Sequence, residues 1–183
     1  DLVDPPITDF KQFWDKKFDG MRGTYITSNT LQMVFFLASC QAFGKDAYDL
    51  EAGYQAMRDA MPAKISDFTG NMQTLVERGE VQIGVQWEGE CYLQMDKGIP
   101  VDNFIWQHQK PLLTQTHTVS KYSDPVQKKL ALAYVNEKLD PKFMNKAGET
   151  FYLRPTIKNA ELPELLTSKG VKNDANALDG LHT

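Results

Sequence analysis

The chain has little cysteine and little histidine, and it lacks the common phosphate-binding motifs. Two cysteines and three histidines occur among its 183 residues. Neither His108 nor His117 has a second ligand at helical spacing, and His182 belongs to the C-terminal tail, so a metal site is not indicated. Neither GxGxxG nor GxxxxGK followed by Ser or Thr is present, which argues against a nucleotide-phosphate loop. We therefore expect neither a metal nor a cofactor.

Charge and hydropathy argue against two further classes of partner. The net charge is −4 at pH 7, and no basic run is interleaved with aromatic residues, so nucleic acid is not an expected partner. No segment approaches the about 18 to 20 apolar residues that a membrane-spanning helix needs. The longest apolar block, Met33 to Ala38, is typical of a buried helix. No charged and apolar leader follows Asp1, so we expect an export signal to have been removed or never to have been there.

The two cysteines, Cys40 and Cys91, would permit one disulfide in an oxidising compartment. Cys40 lies at the far end of a predicted helix that starts near Leu31, whereas Cys91 lies in the first turn of a later predicted helix. If both helices start at the same edge of a sheet, a rise of about 1.5 Å per residue places the sulfurs well over about 10 Å apart. We expect two buried free thiols.

Short strands alternate with amphipathic helices along most of the chain. We predict strands at 24–27, 65–68, 81–87, 103–106 and 116–119, and helices at 10–18, 31–43, 48–61, 72–77, 89–97 and 160–168. Two further helices start at Asp124-Pro125 and Asp140-Pro141, where a cap residue precedes a proline, and the second is expected to run through Phe143. The first should bury Val126, Leu130, Ala133 and Tyr134. This alternation predicts a three-layer α/β sandwich.

The strand 81–87 ends in a tryptophan, Trp87. Alternate residues of the segment share one face, which is the period of a strand. Ligands of open α/β sheets lie just beyond the carboxyl ends of strands, so Trp87 is a candidate recognition residue. Packing in the core is the competing interpretation, and general burial preferences favour it.

Small polar residues precede two of the predicted helices. Ser28, Asn29 and Thr30 precede the helix 31–43, and Thr69, Gly70 and Asn71 precede the helix 72–77. Such residues are good N-caps, and the N–H groups of the helix that they open can hold an anion. The simpler interpretation is that they only cap buried helices.

Several segments, taken in order, resemble one protein family. ERGEVQIGVQWEGECYLQMDKGIPVDNFIW resembles a Gly-Glu-Val, strand, Trp-Asn-Gly, helix, Gly-x-Pro segment of periplasmic solute-binding proteins of the spermidine/putrescine type, the receptors of ABC importers. DFKQFWDKKFDGMRG and YDLEAGYQAMRDAMP resemble upstream segments of the family, and THTVSKYSDPVQKKLALAYVNEKLDPKF resembles a downstream one. The similarity extends over most of residues 7 to 157.

The resemblance implies a type II periplasmic-binding fold with two α/β lobes that close on a ligand like a Venus flytrap. Each lobe would be an α/β/α sandwich with a mixed sheet. Residues 1–112 and 158–183 would form the second lobe. Residues 113–157 would supply a crossover, a strand and helices of the first lobe, whose N-terminal half is absent. The chain would then be either a fragment or a reduced relative that pairs with another chain.

The resemblance also implies ligand-binding residues. Trp87 would pack on the alkyl chain of the ligand, and the polar loops would contribute Ser28, Asn29, Thr30, Thr69 and Asn71. The tryptophan and the amine-binding aspartate of the family's crossover correspond to Leu113 and Gln115, which makes the site less suited to a polycation. Glu88 is either the partner of a cation or an N-terminal helix charge. We expect a small amine-containing solute, polyamine-like or an ω-amino acid.

Three functional classes follow. The first is a non-enzymatic transport receptor in the periplasm, which binds a small molecule and docks on a membrane permease. The second is an effector-binding sensory domain of a regulator with the same fold. The third is an enzyme that uses Ser28 or Ser66 with His117, but the GxSxG elbow is missing, and we therefore expect no catalytic residues.

Overall fold

A computed structural model of the chain describes residues 4–104, 116–157 and 160–168. The chain divides into two compact units, Asp1–Lys110 and Pro111–Thr183. The first unit contains the described strands, and the described part of the second is helical.

The described strands and helices of the first unit alternate along the chain. Two 3-10 helices, Phe10–Trp14 and Lys16–Phe18, come first. They are followed by β1 (Arg22–Tyr25), α1 (Thr30–Phe43), α2 (Leu50–Asp59), β2 (Ala63–Ser66), α3 (Thr69–Glu77), β3 (Ile83–Gly84) and α4 (Glu88–Asp96). The alternation confirms the predicted α/β class.

The sheet of the first unit is small and parallel. Its strand order is β2-β1-β3, with Arg22 opposite both Ala63 and Ile83. Every described pairing is parallel, so an antiparallel strand of the expected mixed sheet is not found among the described residues. Since β1 is the central strand, its four residues are buried, and its carboxyl end meets that of β2.

An aromatic cluster fills one side of this unit. Phe13, Phe35 and Ala60 are its buried members, and Trp14 stacks on Phe35 with 5.6 Å between ring centroids and 8° between planes. The indole N–H of Trp14 donates to the carbonyl of Ala56 at 2.7 Å. The sequence predicted one helix here, from Phe10 through Phe18. Two 3-10 helices form instead, and their period of about three residues per turn brings Phe13 into the cluster.

Arg22, the first residue of β1, is buried, with 1% of its surface exposed. Its guanidinium donates to the carbonyls of Phe13 at 2.6 Å, Asp15 at 2.7 Å and Ala60 at 3.2 Å, and to the carboxylate of Asp19 at 2.7 Å. These bonds compensate for the desolvation of the charge. One side chain therefore joins the 3-10 helices, the end of α2 and the central strand.

Strand lengths differ most from the predictions. The segment 81–87 forms ladder pairs only at Ile83–Gly84, opposite Arg22 and Gly23, whereas β2 pairs with all four residues of β1. The predicted strand 116–119 is not a strand, and neither are residues 103 and 104, while 105 and 106 lie outside the described residues. Helix α1 agrees closely with its prediction and ends at Gly44.

The second unit contains α5 (Pro125–Lys138), α6 (Pro141–Phe151) and α7 (Glu164–Ser168). Asp124 and Asp140 cap α5 and α6 with their side chains, and a proline follows each, as predicted. Helix α6 continues well beyond Phe143 and ends where Tyr152 adopts a left-handed conformation with φ of 52°.

The segment around α7 packs against α6. The backbone N–H of Glu161 donates to Asn145 Oδ1 at 2.8 Å, and Pro163 lies against Gly148. Ala160 and Leu166 are buried. The assignment of 158–183 and of 113–157 to different lobes of a receptor stays a prediction.

Helix α5 differs from its prediction in burial. Val126, Leu130 and Tyr134 are 69%, 66% and 57% exposed, and α5 has no buried residue. The expected apolar face exists, but the described residues of the second unit do not cover it. Periodicity predicts which side chains share a face and not what packs on that face.

Both cysteines are buried and form no disulfide with each other, as expected. Burial is the main cause that raises the pKa of the Cys40 thiol above its usual value, which keeps the thiol protonated and unreactive. None of the described helices combines the length and the hydropathy required to cross a membrane.

Replacing Arg22 tests its structural role. We expect Arg22→Ala to lower the free energy of unfolding by on the order of 3 kcal/mol, because buried carbonyls lose their donor. Arg58→Ala is the control, since Arg58 pairs with Glu51 at 3.4 Å on the surface and should cost less than about 1 kcal/mol. Urea denaturation followed by tryptophan fluorescence measures both, and equal losses would contradict the assigned role.

Gly23 tests the packing beneath the sheet. A Cβ at this position would lie 2.5 Å from Met72 Sδ and 2.8 Å from Val81 Cγ1. Gly23→Ala should therefore cost about 1–3 kcal/mol and lower the melting temperature. In the control Gly148→Ala, the nearest contact is 3.4 Å away and the alanine favours the helix, so no loss is expected by calorimetry.

Candidate functional site

The carboxyl ends of β1 and β2 form a connected edge. The backbone N–H of Ile26 donates to the carbonyl of Ser66 at 2.9 Å, just beyond the ladder. Asn29 Nδ2 donates to the carbonyl of Asp67 at 3.3 Å, which joins the two loops that follow these strands. The polar segments that follow β1 and β2 therefore lie near one another.

Asn29 is the N-cap of α1. Its side-chain oxygen accepts from the backbone N–H of Leu31 at 2.9 Å, while Ser28 and Thr30 are exposed beside it. The capping role satisfies one of the N–H groups that an anion would otherwise use. The geometry of Asn29 therefore fits the simpler interpretation, and a ligand role of Ser28 and Thr30 stays a prediction.

Thr69 and Asn71 belong to a helix and not to the loop before it. Helix α3 starts at Thr69, three residues earlier than predicted. Asn71 Nδ2 donates to Asp67 Oδ1 at 2.6 Å, and this bond is the main cause that lowers the pKa of the exposed Asp67 carboxyl. The amide of Asn71 is thus engaged locally, whereas the side chain of Thr69 turns toward the carboxylate of Glu90.

Trp87 does not end a strand, because β3 stops at Gly84. It occupies the N-cap position of α4, partly exposed, with extended backbone dihedrals. Glu88 is the first residue of α4, and one of its carboxylate oxygens accepts from the hydroxyl of the buried Tyr92 at 3.0 Å. An acidic residue at this position is typical of a favourable interaction with the helix dipole.

A buried glutamine, Gln94, holds α3 and α4 beside each other. Its side-chain N–H groups donate to the carbonyl of Gln73 at 3.2 Å and to the carboxylate of Glu77 at 3.3 Å. Its oxygen accepts from Gln86 at 3.0 Å. These bonds hold the C-terminal half of α4 against the middle and end of α3. At the other end of the pair, the first turns meet where the Thr69 side chain hydrogen-bonds to Glu90.

The structure adds Tyr25 and Glu90 to the candidate site. Tyr25 is the last residue of β1 and is 3% exposed. Glu90 lies in the first turn of α4. Tyr25 Oη and Glu90 Oε2 are both buried without a hydrogen-bond partner among the described residues. Two uncompensated polar atoms at one edge are uncommon in a folded protein, and each calls for an explanation.

The pKa values of these two groups reflect their surroundings. Burial raises the pKa of Glu90, while hydrogen bonds from Thr69, Trp87 and Gln73 act in the opposite direction. Burial also raises the pKa of Tyr25, and the negative charge of Glu90 contributes to that increase. The two side chains are therefore electrostatically coupled, and both would gain from a cationic donor placed between them.

Sequence reasoning missed Tyr25 and Glu90 because their importance depends on burial. The available signal was the spacing Trp87-x-x-Glu90, in which an acidic residue at the third helical position reaches back to the N-cap N–H. Tyr25 was an interior residue of the predicted strand 24–27, whose bounds were two residues too late. Spacing alone cannot show that two such side chains meet.

Of the remaining predicted residues, Ser66 lies at this edge and His117 belongs to the second unit. Gln115 and Leu113 lie outside the described residues. Ser66 is buried at the end of β2, and the His117 ring lies edge-on to Tyr134, with 6.2 Å between ring centroids, in the second unit. In the described part of the chain, no group of three or more metal-ligating side chains comes together.

Glu90 gives the chain a testable pH dependence. The carboxyl has its ordinary pKa of 4.5 when unfolded and a raised pKa when folded, so above pH 4.5 the folded state binds more protons than the unfolded state. Stability therefore falls as the pH rises through the window between the two values. Glu90→Gln should be more stable than the parent above this window and similar to it below pH 4.5.

Urea denaturation at about pH 4 and about pH 8 measures that difference. Glu51→Gln is the control, because Glu51 is an exposed residue of α2 and its replacement should give no such trend. A parent that gains stability relative to Glu90→Gln as the pH rises would contradict a raised pKa.

A comparison with solved structures identifies the fold. A crystal structure described as that of an extracellular solute-binding protein from Bordetella parapertussis superposes with a TM-score of 0.65, 17% identity, and coverage of 90% of this chain and 52% of that one. At this identity the superposition shows the fold alone, which is that of the periplasmic-binding proteins. No family model matches the chain.

Curated relatives give a more specific similarity. The spermidine/putrescine-binding periplasmic protein of Escherichia coli K12 is 23% identical over 97% of this chain, and that of Salmonella typhimurium LT2 is 22% identical over 97%. The chain spans about half the length of these curated relatives, 52% in each case. Its homologues are thus non-enzymatic solute-binding proteins of the periplasm, as the resemblance in the sequence predicted.

Proposed function

We propose that the chain is part of a periplasmic receptor for a small amine-containing solute, which it holds in an interlobe cleft and delivers to the membrane permease of an ABC importer. The observation that carries the proposal is the similarity to spermidine/putrescine-binding periplasmic proteins over 97% of the chain. The solute class of the relatives is polyamine, and an ω-amino acid is the other solute that the sequence favours.

The edge of the small sheet supports a binding role. It combines a partly exposed tryptophan at an N-cap, the hydroxyls of Ser28 and Thr30, and a carboxylate at Glu90. A tryptophan face attracts both alkyl chains and cations, with about 0.5–2 kcal/mol from a cation–π contact. Carboxylate and hydroxyl oxygens accept from an amine. This composition suits an elongated solute with a positively charged end.

The exposed apolar face of α5 supports a second part of the proposal. We propose that the polypeptide corresponding to the other half of the relatives' length completes the receptor, either within the same protein or as a separate chain. Val126, Leu130 and Tyr134 present a row at helical spacing that a partner would cover. Contiguous exposed apolar side chains of this kind are typical of an interface.

Trp87 provides the first test of the binding role. Calorimetric titration of the parent with putrescine, spermidine and short ω-amino acids should detect at least one solute, with millimolar affinity if only part of the cleft is present. Trp87→Ala should weaken that affinity by about tenfold, because the ring face is lost.

Tyr48→Ala is the matched control. Tyr48 is 81% exposed and follows the far end of α1, which is about 20 Å long, so it is remote from Asn29. Its replacement should leave binding unchanged. If the parent binds none of these solutes, or if Trp87→Ala binds every one as well as the parent does, the proposed function is wrong.

A further inference from the structure

We propose that Glu90 and Tyr25 form the subsite that receives the ammonium group of the solute. The inference rests on the proposed function and assigns a polar anchor to two residues of the strand edge. One ammonium group would donate to Glu90 Oε2 and to Tyr25 Oη at the same time. Trp87, three residues before Glu90 on the same helix end, would contact the alkyl part.

Two buried polar atoms at this edge lack a hydrogen-bond partner among the described residues. Tyr25 is 3% exposed, yet its hydroxyl has no partner among the residues that the structure describes, and neither has Glu90 Oε2. A buried polar atom without a hydrogen bond loses its interactions with water and gains none in return. A ligand that supplies donors to both atoms removes two such penalties at once.

The chemistry of the two side chains favours a positively charged ligand group. The Glu90 carboxylate only accepts hydrogen bonds, and the Tyr25 hydroxyl oxygen can accept as well as donate. Because Glu90 is negatively charged when ionised, it would repel an anion, and a neutral alcohol would leave its charge uncompensated. An ammonium group has three donors and the opposite charge. Charge-assisted bonds of this type are about twice as strong as neutral ones.

Glu90 supplies a carboxylate that the crossover segment lacks. The carboxylate that the family resemblance assigns to the crossover corresponds to Gln115, which cannot neutralise an amine. Glu90 supplies a carboxylate from α4, where Thr69 of α3 also contacts it. Glu88, the carboxylate that the sequence indicated, is hydrogen-bonded to Tyr92 instead. Glu90 is thus the acidic side chain of this helix end with an unpartnered oxygen.

Access requires a small movement of side chains. Glu90 Oε2 is closed off from solvent, but the side chains of Glu90 and Trp87 are only partly buried. Rotation of the partly exposed Glu90 carboxyl group would present the oxygen to a solute at the edge.

The test compares putrescine with butanediol, its neutral counterpart of equal chain length, on the 183-residue chain labelled with 13C at glutamate carboxyls. Putrescine should shift the Glu90 signal and the Trp87 indole signal, and it should lower the pKa of Glu90. Glu90→Gln should weaken putrescine binding by at least about tenfold and leave butanediol binding within about twofold. Tyr25→Phe should give a smaller loss.

Two controls make the result decisive. Glu90→Gln is expected to be more stable than the parent at neutral pH, so lost binding cannot be assigned to unfolding. Glu51→Gln removes the same charge from an exposed position on α2 and should bind putrescine as the parent does.

The outcomes separate the two proposals. If putrescine shifts the Trp87 signal but Glu90→Gln binds it as tightly as the parent, the ammonium subsite is wrong and the receptor function stands. If Glu90→Gln loses putrescine and butanediol equally, Glu90 only supports the shape of the edge and the subsite is again wrong. If no amine shifts either signal, both proposals fail.

Discussion

The buried guanidinium of Arg22 is the interaction on which the first unit depends. Its four hydrogen bonds bring two 3-10 helices, the end of α2 and the start of β1 to one point. Because Arg22 pairs with both Ala63 and Ile83, the same residue aligns the starts of β1, β2 and β3. Parallel strands that start together also end near one another, and the candidate site consists of the residues at and just beyond those ends. A bidentate, permanently charged donor is needed for this role, which lysine could not fill with equal geometry.

Local chemistry made the helix starts predictable. Asp124-Pro125 and Asp140-Pro141 specify a cap and a first helical residue independently of the rest of the chain, and both helices begin there. The lengths of strands were not predictable in the same way. Residues 81–87 alternate as a strand should, yet only Ile83 and Gly84 pair with β1. A ladder depends on the neighbouring strand as well as on the strand's own sequence. Helix α3 began earlier than predicted because Thr69 and Asn71 are compatible with both a cap and a first turn.

Part of the candidate site was predictable and part was not. The polar residues after β1 and β2, and Trp87 before α4, follow from the rule that ligands approach the carboxyl ends of strands. Tyr25 and Glu90 could not be singled out, since their unpartnered atoms arise only when α4 and β1 pack against each other. The burial of the apolar face of α5 could not be predicted either. Its apolar spacing predicts a covered face, but the cover must come from outside the described part of this unit. The proposed receptor, completed by the polypeptide that corresponds to the other half of the relatives' length, would account for both observations.

Hydrogen–deuterium exchange of the 183-residue chain, with and without excess putrescine, tests the central claim most directly. If the edge of the small sheet holds the amine, protection should increase at the end of β1 and in the first turns of α3 and α4, where Tyr25, Thr69 and Glu90 lie. Exchange in α2, which lies outside the proposed site, should stay unchanged. Protection confined to other segments, or no change anywhere, would contradict the assignment of this edge as the solute-binding site.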